Sequence, residues 1–301
     1  MKRQGNQMNR RTFISALSAT AAAGSLVASH AFGNYKRKDN QTIQDVIDML
    51  IAIPGTGPYA KTVDTIKSGD ATQSCRGVVT TFMANAEVIR KAIALGANLI
   101  VTHEPTYYNH EDNTEWLSKD GVYQYKRKLL EDNKVVVFRY HDYIHSIKPD
   151  PVVVGFAEKL SWEKYQDKDN PRICTIPSQS LSSLVREIKS KLKTDSIRFV
   201  GVPDMNCTKI GLLVGASGGT SHINMLSTTD IDVLIVGEIH EWETSEYVRD
   251  AITAGENKAV IIAGHAPTEE PGMEWLAKWL QPKLADTKVT HVPGTSPFMY
   301  M

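Results

Sequence analysis

The chain has 301 residues, with 34 basic and 34 acidic side chains, so its formal net charge is zero. Apolar residues make up 42% of the chain and charged residues 23%, which excludes collagen-like, low-complexity and fully disordered proteins. The balance of charge also argues against a nucleic-acid partner, because proteins that bind nucleic acid concentrate positive charge on one face.

The first segment of the chain predicts an export signal. Residues 1–31 contain basic but no acidic side chains, and Arg10-Arg11 precedes a short apolar run. The surrounding residues resemble the twin-arginine consensus. We therefore expect a signal peptide over residues 1–31, cleavage after Ala31, a linker over 32–41 and a periplasmic or cell-envelope protein with no membrane span after cleavage. An amphipathic helix and an uncleaved anchor are the alternatives.

Apolar runs of strand type alternate with helical spacing through the rest of the chain. The strand-type runs are 77–82, 98–102, 134–138, 196–200, 209–214, 232–236 and 258–263. Helical spacing follows Thr42 and covers residues 85–95, 119–131, 181–192 and 242–254. This alternation predicts an α/β protein with mostly parallel sheets. Because the order repeats, we expect two similar, closely packed α/β lobes, residues 42–150 and 151–301.

Four predicted strand ends carry histidine or glutamate. They are His103-Glu104, His141 with His145, Glu238 with His240, and His265 with Glu269. The carboxyl ends of parallel strands meet at one edge of a sheet, so these side chains are expected to converge. Imidazole and carboxylate without thiolate are typical of catalytic Zn, Mn or Fe sites. The number of ligands favours two ions, with one ion or simple charge pairing as the alternative.

These residues carry a resemblance to a known family. The segments 100–105, 237–240 and 264–269 resemble the Nif-three-like family, also called the dinuclear metal-centre hexamer family. Its members are often labelled GTP cyclohydrolase type 2. The resemblance extends over roughly residues 42–301. It implies two divalent ions (Zn, Mn or Fe) between two α/β lobes, and a homo-oligomer that is a hexamer.

The resemblance also implies a ligand set. Glu104 stands where the family has a second histidine, and His145 stands where the family has an aspartate, with Asp142 as the alternative ligand. The implied metal ligands are His103, Glu104, His145, His265 and Glu269.

The ligand set predicts a hydrolase that uses metal-activated water on a small nucleotide-like or phosphorylated substrate. The candidate catalytic residues are His141, Glu238 and His240, with His141 or Glu238 moving protons. The alternative is a non-enzymatic metal-binding or scaffold ring in the cell envelope.

A serine hydrolase is a competing interpretation. Residues 215–219 fit the pattern G-x-S-x-G of a nucleophile elbow, and Asp232 and His265 follow in the order of an α/β-hydrolase. A glycine-rich turn explains this segment more simply. The apolar stripe Trp275, Leu276, Trp279 and Leu280 has helical spacing and predicts core or subunit interface.

Overall fold

The structure is a computed structural model that describes residues 41–57, 59–284, 286–294, 296–299 and 301. The predicted signal peptide, its cleavage point and the linker up to residue 40 lie outside the described residues. Among the described residues, no helix is both long and apolar enough to span a membrane.

The first sheet is built mainly from parallel strands. Its strands are β1 (Ile66–Ser68), β2 (Gly77–Thr81), β3 (Leu99–Thr102), β4 (Val136–Arg139) and β10 (Lys288–His291). The order is β1-β4-β3-β2-β10, and only the β1–β4 pair is antiparallel. Strands β2, β3 and β4 are buried along their whole length, which explains their uninterrupted apolar runs.

The second sheet repeats the parallel centre. Its strands are β5 (Ile173–Ser180), β6 (Arg198–Val200), β7 (Asn206–Leu213), β8 (Val233–Val236) and β9 (Ala259–Ile262). The order is β5-β7-β8-β9-β6, with antiparallel strands only at the two edges. The prediction of an α/β fold with mostly parallel sheets is therefore confirmed.

Helices connect the strands. They are α1 (Ile43–Ala52), α2 (Ala86–Ala94), α3 (Gly121–Asp132), α4 (Asp142–Ser146), α5 (Pro151–Leu160), α6 (Leu181–Leu192), α7 (Gly219–Thr228), α8 (Glu246–Thr253) and α9 (His265–Leu280). Polar side chains fix where several of them begin. Thr42 forms a capping box with Asp45, and the Asn85 side chain accepts a hydrogen bond from the Val88 amide.

Helix α9 packs closely against α5. A Cβ added at Gly155 would lie 2.7 Å from the carbonyl oxygen of Pro271, and one at Gly272 would lie 2.8 Å from Val152 Cα. Glycine at both positions therefore lets the two backbones approach. The same core cluster contains buried residues of both sheets and of α1, α5, α6 and α9.

The apolar stripe on α9 belongs to this core. Leu276 and Leu280 are fully buried, and Trp275 and Trp279 pack against the same cluster. Of the two predicted roles, the structure shows the core role.

The structure differs from the sequence prediction in two elements. Strand β10 pairs with residues 77–80, so part of the segment 151–301 completes the first sheet. The division into lobes at residue 150 therefore does not coincide with the division into sheets. The helix predicted over 242–254 begins instead with a π-helical turn, Glu241–Ser245, which precedes α8.

Candidate metal centre

Three strand ends bring the predicted ligands together. His103 and Glu104 follow β3, and His141 follows β4 at the start of α4, which carries His145. His265 and Glu269 lie in the first two turns of α9, which begins shortly after β9. Their spacing of four residues places both side chains on the same face of that helix.

One candidate group contains three imidazoles. Ligand atoms of His103, His141 and His145 all lie within 4.8 Å of one another. The rings of His103 and His141 are stacked with centroids 4.7 Å apart, and the His145 ring lies 5.0 Å from His103 and 5.1 Å from His141. His145 therefore belongs to the cluster.

A second candidate group shares His103 and adds two carboxylates. Ligand atoms of His103, Glu104 and Glu269 lie within 4.8 Å of one another, and all three residues are buried. His265 Nε2 lies 2.9 Å from Glu269 Oε2 and 3.5 Å from Glu104 Oε1. The two groups together contain four of the five predicted ligands, and His265 contacts both carboxylates.

The hydrogen bonding of His103 fits a metal ligand. Its Nδ1 lies 3.2 Å from the Tyr140 carbonyl oxygen, which can only accept, so a neutral ring carries its proton on Nδ1 and keeps a lone pair on Nε2. Burial opposes protonation of this ring, but Glu269 and Glu104 raise its pKa, so without an ion the ring takes up a second proton more readily than an ordinary histidine. Nε2 is buried and has no hydrogen-bond partner among the described residues, although Glu269 Oε2 lies 3.3 Å away. A buried polar atom left unpaired costs about 1–3 kcal/mol, which a bound cation would offset.

Carboxylates orient the other three imidazoles. Asp142 pairs with Nδ1 of His141 at 3.0 Å, Asp150 with Nδ1 of His145 at 3.0 Å, and Glu238 with Nδ1 of His265 at 2.8 Å. This is the arrangement found around metal-binding histidines, since a carboxylate on one ring nitrogen presents the other as a ligand.

The contacts of Asp142 bear on which residue of α4 is the ligand. Its two carboxylate oxygens are occupied by His141, by the Thr62 hydroxyl at 2.7 Å and by the Val63 amide at 3.1 Å. Asp142 lies in neither candidate group, whereas His145 lies in one. The geometry thus favours His145 as the ligand and Asp142 as the residue that orients His141.

The Glu269 carboxylate lies directly against the backbone of a glycine-containing loop. Gly215 has a φ of +66°, and a Cβ at this position would lie 1.9 Å from Glu269 Oε1. A Cβ at Gly237 would lie 2.5 Å from the Gly215 carbonyl oxygen. The loop after β7 therefore leaves room for the carboxylate only because glycine occupies both positions.

The charges within the cluster are strongly coupled. Burial alone would raise the pKa of Glu104, but the hydrogen bond from His265 and the nearby charge of His103 lower it to about 2. Burial opposes protonation of His265, yet its contacts with Glu104, Glu238 and Glu269 raise its pKa to about 12. Burial and the neighbouring His103 lower the pKa of His141 to about 4. When no ion is present, the three carboxylates thus keep the His265 ring protonated and positively charged.

The structure places the other two predicted catalytic residues differently. Glu238 contacts His265, but its side chain is 60% exposed, so it lies at the rim of the cluster. His240 is exposed and packs against Trp242 with ring centroids 5.1 Å apart. His240 is in neither candidate group, because the chain turns away into the π-helical segment after Glu238.

The geometry does not assemble a serine-hydrolase triad. The Ser217 hydroxyl donates to the Val214 carbonyl oxygen at 2.9 Å. Asp232 accepts from the amides of Thr208 and Lys209, at the amino-terminal end of β8, whereas His265 follows the carboxyl end of β9. The segment 215–219 is therefore a turn that accommodates Glu269.

Asp64 and Asp150 also support the candidate centre, and the sequence did not predict either of them. Asp64 accepts from the amides of His141, Asp142 and Tyr143 at 2.7–3.0 Å and so fixes the start of α4. Asp150 orients His145 and also pairs with Arg172 at 3.1 Å. No spacing links Asp64 to α4, because 77 residues separate it from His141. Asp150 follows His145 by five residues, which was the one available signal.

Solved structures share this fold. A hypothetical protein of Staphylococcus aureus superposes with a TM-score of 0.70 at 19% identity, covering 87% of this chain and 100% of that chain. A Bacillus cereus protein related to NIF3 gives a TM-score of 0.70 at 15% identity, covering 88% and 100%.

A curated relative and a family model match the sequence itself. The relative, from Clostridium acetobutylicum, is named GTP cyclohydrolase 1 type 2 homolog and is 24% identical over 223 residues, 71% of this chain and 79% of the relative. The model of the Duf34/NIF3 (NGG1p interacting factor 3) family matches residues 60–296, a segment that contains both candidate groups. The chain therefore belongs to the Duf34/NIF3 (NGG1p interacting factor 3) family.

Proposed function

We propose that this protein is a metal-dependent hydrolase that binds two divalent transition-metal ions, Zn, Mn or Fe, in the cluster formed by the two candidate groups and His265. The observation that carries the proposal is the buried Nε2 of His103, which is common to both groups and faces Glu269 Oε2 at 3.3 Å without a hydrogen bond. Nε2 of His103 has one lone pair and would hold one ion only, so a second ion would need the other imidazoles and carboxylates of the cluster.

The protein's own residues divide the work. His103, Glu104, His145, His265 and Glu269 would hold the ions, and Asp142, Asp150 and Glu238 orient imidazoles. Bound ions would supply a water of lowered pKa and an electrophile that polarises the substrate. His141 lies beside Glu104 with its Nδ1 fixed by Asp142, which leaves Nε2 to hold or move a proton. The side chains of His141, His145 and His265 are 23%, 27% and 18% exposed, which supports access by a substrate.

The proposed substrate is small and nucleotide-like or phosphorylated. This is supported by the name of the relatives from Clostridium acetobutylicum and Ureaplasma parvum, GTP cyclohydrolase 1 type 2 homolog. Hydrolysis of such a compound needs a metal-activated water and a proton donor or acceptor, and the cluster contains residues suited to both tasks.

The test is metal analysis together with turnover, using protein purified without chelators. We expect about two transition-metal ions per chain, and we expect His265→Ala to lose metal and hydrolysis of nucleotide or phosphoester substrates together. The control variant is His240→Ala, which should keep the metal content of the wild type. A wild-type protein with less than about one ion per chain, or unchanged metal in His265→Ala, would contradict the proposal. Full metal without turnover would favour the non-enzymatic scaffold.

Export and assembly belong to the same proposal. We propose that residues 1–31 direct the chain to the periplasm or cell envelope, which is supported by Arg10-Arg11 and the apolar run that follows. The double variant Arg10→Lys, Arg11→Lys should retain the protein in the cytoplasmic fraction. We further propose a hexamer, and sedimentation of the purified chain would detect its mass.

A further inference from the structure

Arg139 is a fully buried arginine directly below the candidate metal centre. It is the last residue of β4, and its side chain has no exposed surface. Nε donates to the His103 carbonyl oxygen at 3.2 Å, and Nη1 donates to the His110 carbonyl oxygen. A guanidinium keeps its charge in any protein environment, so burial at this position requires negative partners nearby.

Two buried carboxylates balance this charge. Nη2 of Arg139 lies 3.5 Å from Glu104 Oε2, and Nη1 lies 3.8 Å from Asp112 Oδ2. Asp112 is also paired with Lys67 at 3.4 Å, so its charge is shared between two cations. Of the two carboxylates that pair with Arg139, Glu104 is therefore the one that belongs to the candidate metal centre.

The two oxygens of Glu104 face different partners. Oε2 faces Arg139, whereas Oε1 lies 3.6 Å from Nε2 of His141 and 3.5 Å from Nε2 of His265. The guanidinium is anchored by two backbone carbonyls, so it cannot follow Glu104 if that side chain rotates. The carboxylate is thus oriented with one oxygen toward the imidazoles.

We propose that Arg139 is a positioning residue that orients Glu104 so that Oε1 faces the imidazoles of the candidate metal centre, and that it compensates the buried charge of Glu104. This inference rests on the proposed metal centre. Without Arg139, Glu104 keeps its negative charge but loses the cation 3.5 Å from Oε2, which favours this orientation by charge attraction without a hydrogen bond. Metal binding then requires ordering of the carboxylate, and affinity falls.

The test measures metal binding directly, with Zn²⁺ and Mn²⁺ titrated calorimetrically into the metal-stripped full chain. We expect Arg139→Met to weaken binding by about tenfold or more, the range for residues that orient metal ligands. In a Glu104→Gln background the same substitution should change the dissociation constant by less than about threefold, because the charge on which Arg139 acts is gone. Lys126→Met is the control for removing a buried cation for which no ion pair with a candidate ligand is observed among the described residues; its Nζ donates to the Thr106 carbonyl oxygen, and the variant should keep wild-type affinity.

The outcomes separate the inference from the proposed function. Unchanged affinity in Arg139→Met, or an equal loss in both backgrounds, overturns the role of Arg139 while the metal centre stands. A wild-type chain that binds neither ion removes the metal centre itself, before any variant is compared. If Arg139→Met does not fold, Arg139→Lys decides. Lysine keeps the positive charge but cannot donate to both backbone carbonyls as the guanidinium does. Wild-type metal affinity in that variant would therefore overturn the positioning role of Arg139.

Discussion

Single ring nitrogens decide what the candidate centre can bind. In His141, His145 and His265, a carboxylate occupies Nδ1, and in His103 a backbone carbonyl does so. In each ring the other nitrogen, Nε2, is thereby presented as a possible ligand atom. Removal of an orienting carboxylate is therefore expected to lower the metal affinity of the site, although every ligand is still present.

Gly215 gives a prediction at this scale. Because a Cβ there would lie 1.9 Å from Glu269 Oε1, Gly215→Ala must displace the carboxylate. We expect metal affinity to fall by about tenfold or more, measured by metal titration of the stripped protein.

The matched control for Gly215 is Gly218→Ala in the same turn. Gly218 also has a positive φ, +85°, but a Cβ there meets nothing within 4 Å. With a ψ of 149°, Gly218 lies in a region that is essentially restricted to glycine, so its variant carries backbone strain of about 1–3 kcal/mol but no overlap with a carboxylate. Equal metal affinity of the two variants would contradict the prediction.

Lys126 predicts a pH dependence of stability. Burial lowers the pKa of this lysine to about 8, while its ordinary value is 10.5. The folded state therefore binds the proton less tightly than the unfolded state. Burial of the protonated lysine lowers the free energy of unfolding. This cost is complete below about pH 8 and disappears as the pH rises toward 10.5.

Lys126→Met should remove this dependence. We expect the variant to be more stable at pH 7, by on the order of 3 kcal/mol at most, less what the lost hydrogen bond to the Thr106 carbonyl contributes. The advantage should shrink between about pH 8 and pH 10, as measured by urea unfolding. Lys128→Met, on the exposed face of the same helix, is the control. A constant difference across this range would contradict the prediction.

At the scale of elements, the contact between α5 and α9 positions two of the five proposed ligands. Helix α9 carries His265 and Glu269, and glycines at the α5–α9 contact set the distance between the two backbones. We expect Gly272→Ala to lower the free energy of unfolding by about 1–3 kcal/mol, because the new methyl group overlaps Val152. Chemical unfolding measures this loss.

Gly121→Ala is the control for that substitution. Gly121 begins α3, and a Cβ there meets nothing within 4 Å, so the variant should be neutral or slightly more stable. If Gly272→Ala is as stable as Gly121→Ala, the proposed packing of α5 on α9 is wrong.

Sequence pattern was most informative where an element is buried throughout. The runs that became β2, β3 and β8 are apolar on both faces, and the prediction of α6 matches its bounds, Leu181–Leu192. Strand β10 was not predicted, because its residues are exposed or half-buried at a sheet edge and so form no apolar run. The π-helical turn after His240 was not predicted, because five residues are too few to show a periodicity in the sequence.

The clustering of the candidate ligands was predictable because each of them follows a strand or lies near the start of a helix, at one edge of a sheet. Arg139 and Asp64 act across long separations or from a buried strand end, and only the folded structure shows what they contact.

At the scale of the whole molecule, bound metal should stabilise the fold. The candidate ligands come from segments that follow β3, β4 and β9, which belong to different sheets, so an ion would link distant parts of the chain. At a free metal concentration of about 100 times Kd, binding contributes about 2.7 kcal/mol. For a chain of this size we expect removal of metal to lower Tm by about 5–10 °C, measured by calorimetry with and without a chelator.

His265→Ala is the internal control for that measurement. The variant lacks a proposed ligand, so the chelator should lower its Tm by less than it lowers that of the wild type. A chelator effect of equal size in both proteins would show that the stabilising ion binds elsewhere.

The place of β10 has a consequence for biosynthesis. Its pairing with β2 joins residues 288–291 to residues 77–80, so the first sheet is completed only after residue 291 has been made. The candidate ligands on α9, His265 and Glu269, also follow the other candidate ligands in the chain. A chain that emerges from the ribosome thus exposes an unpaired edge at β2 until residue 291 is available. Under the proposed function, the complete set of ligands would assemble only after residue 269 has been made.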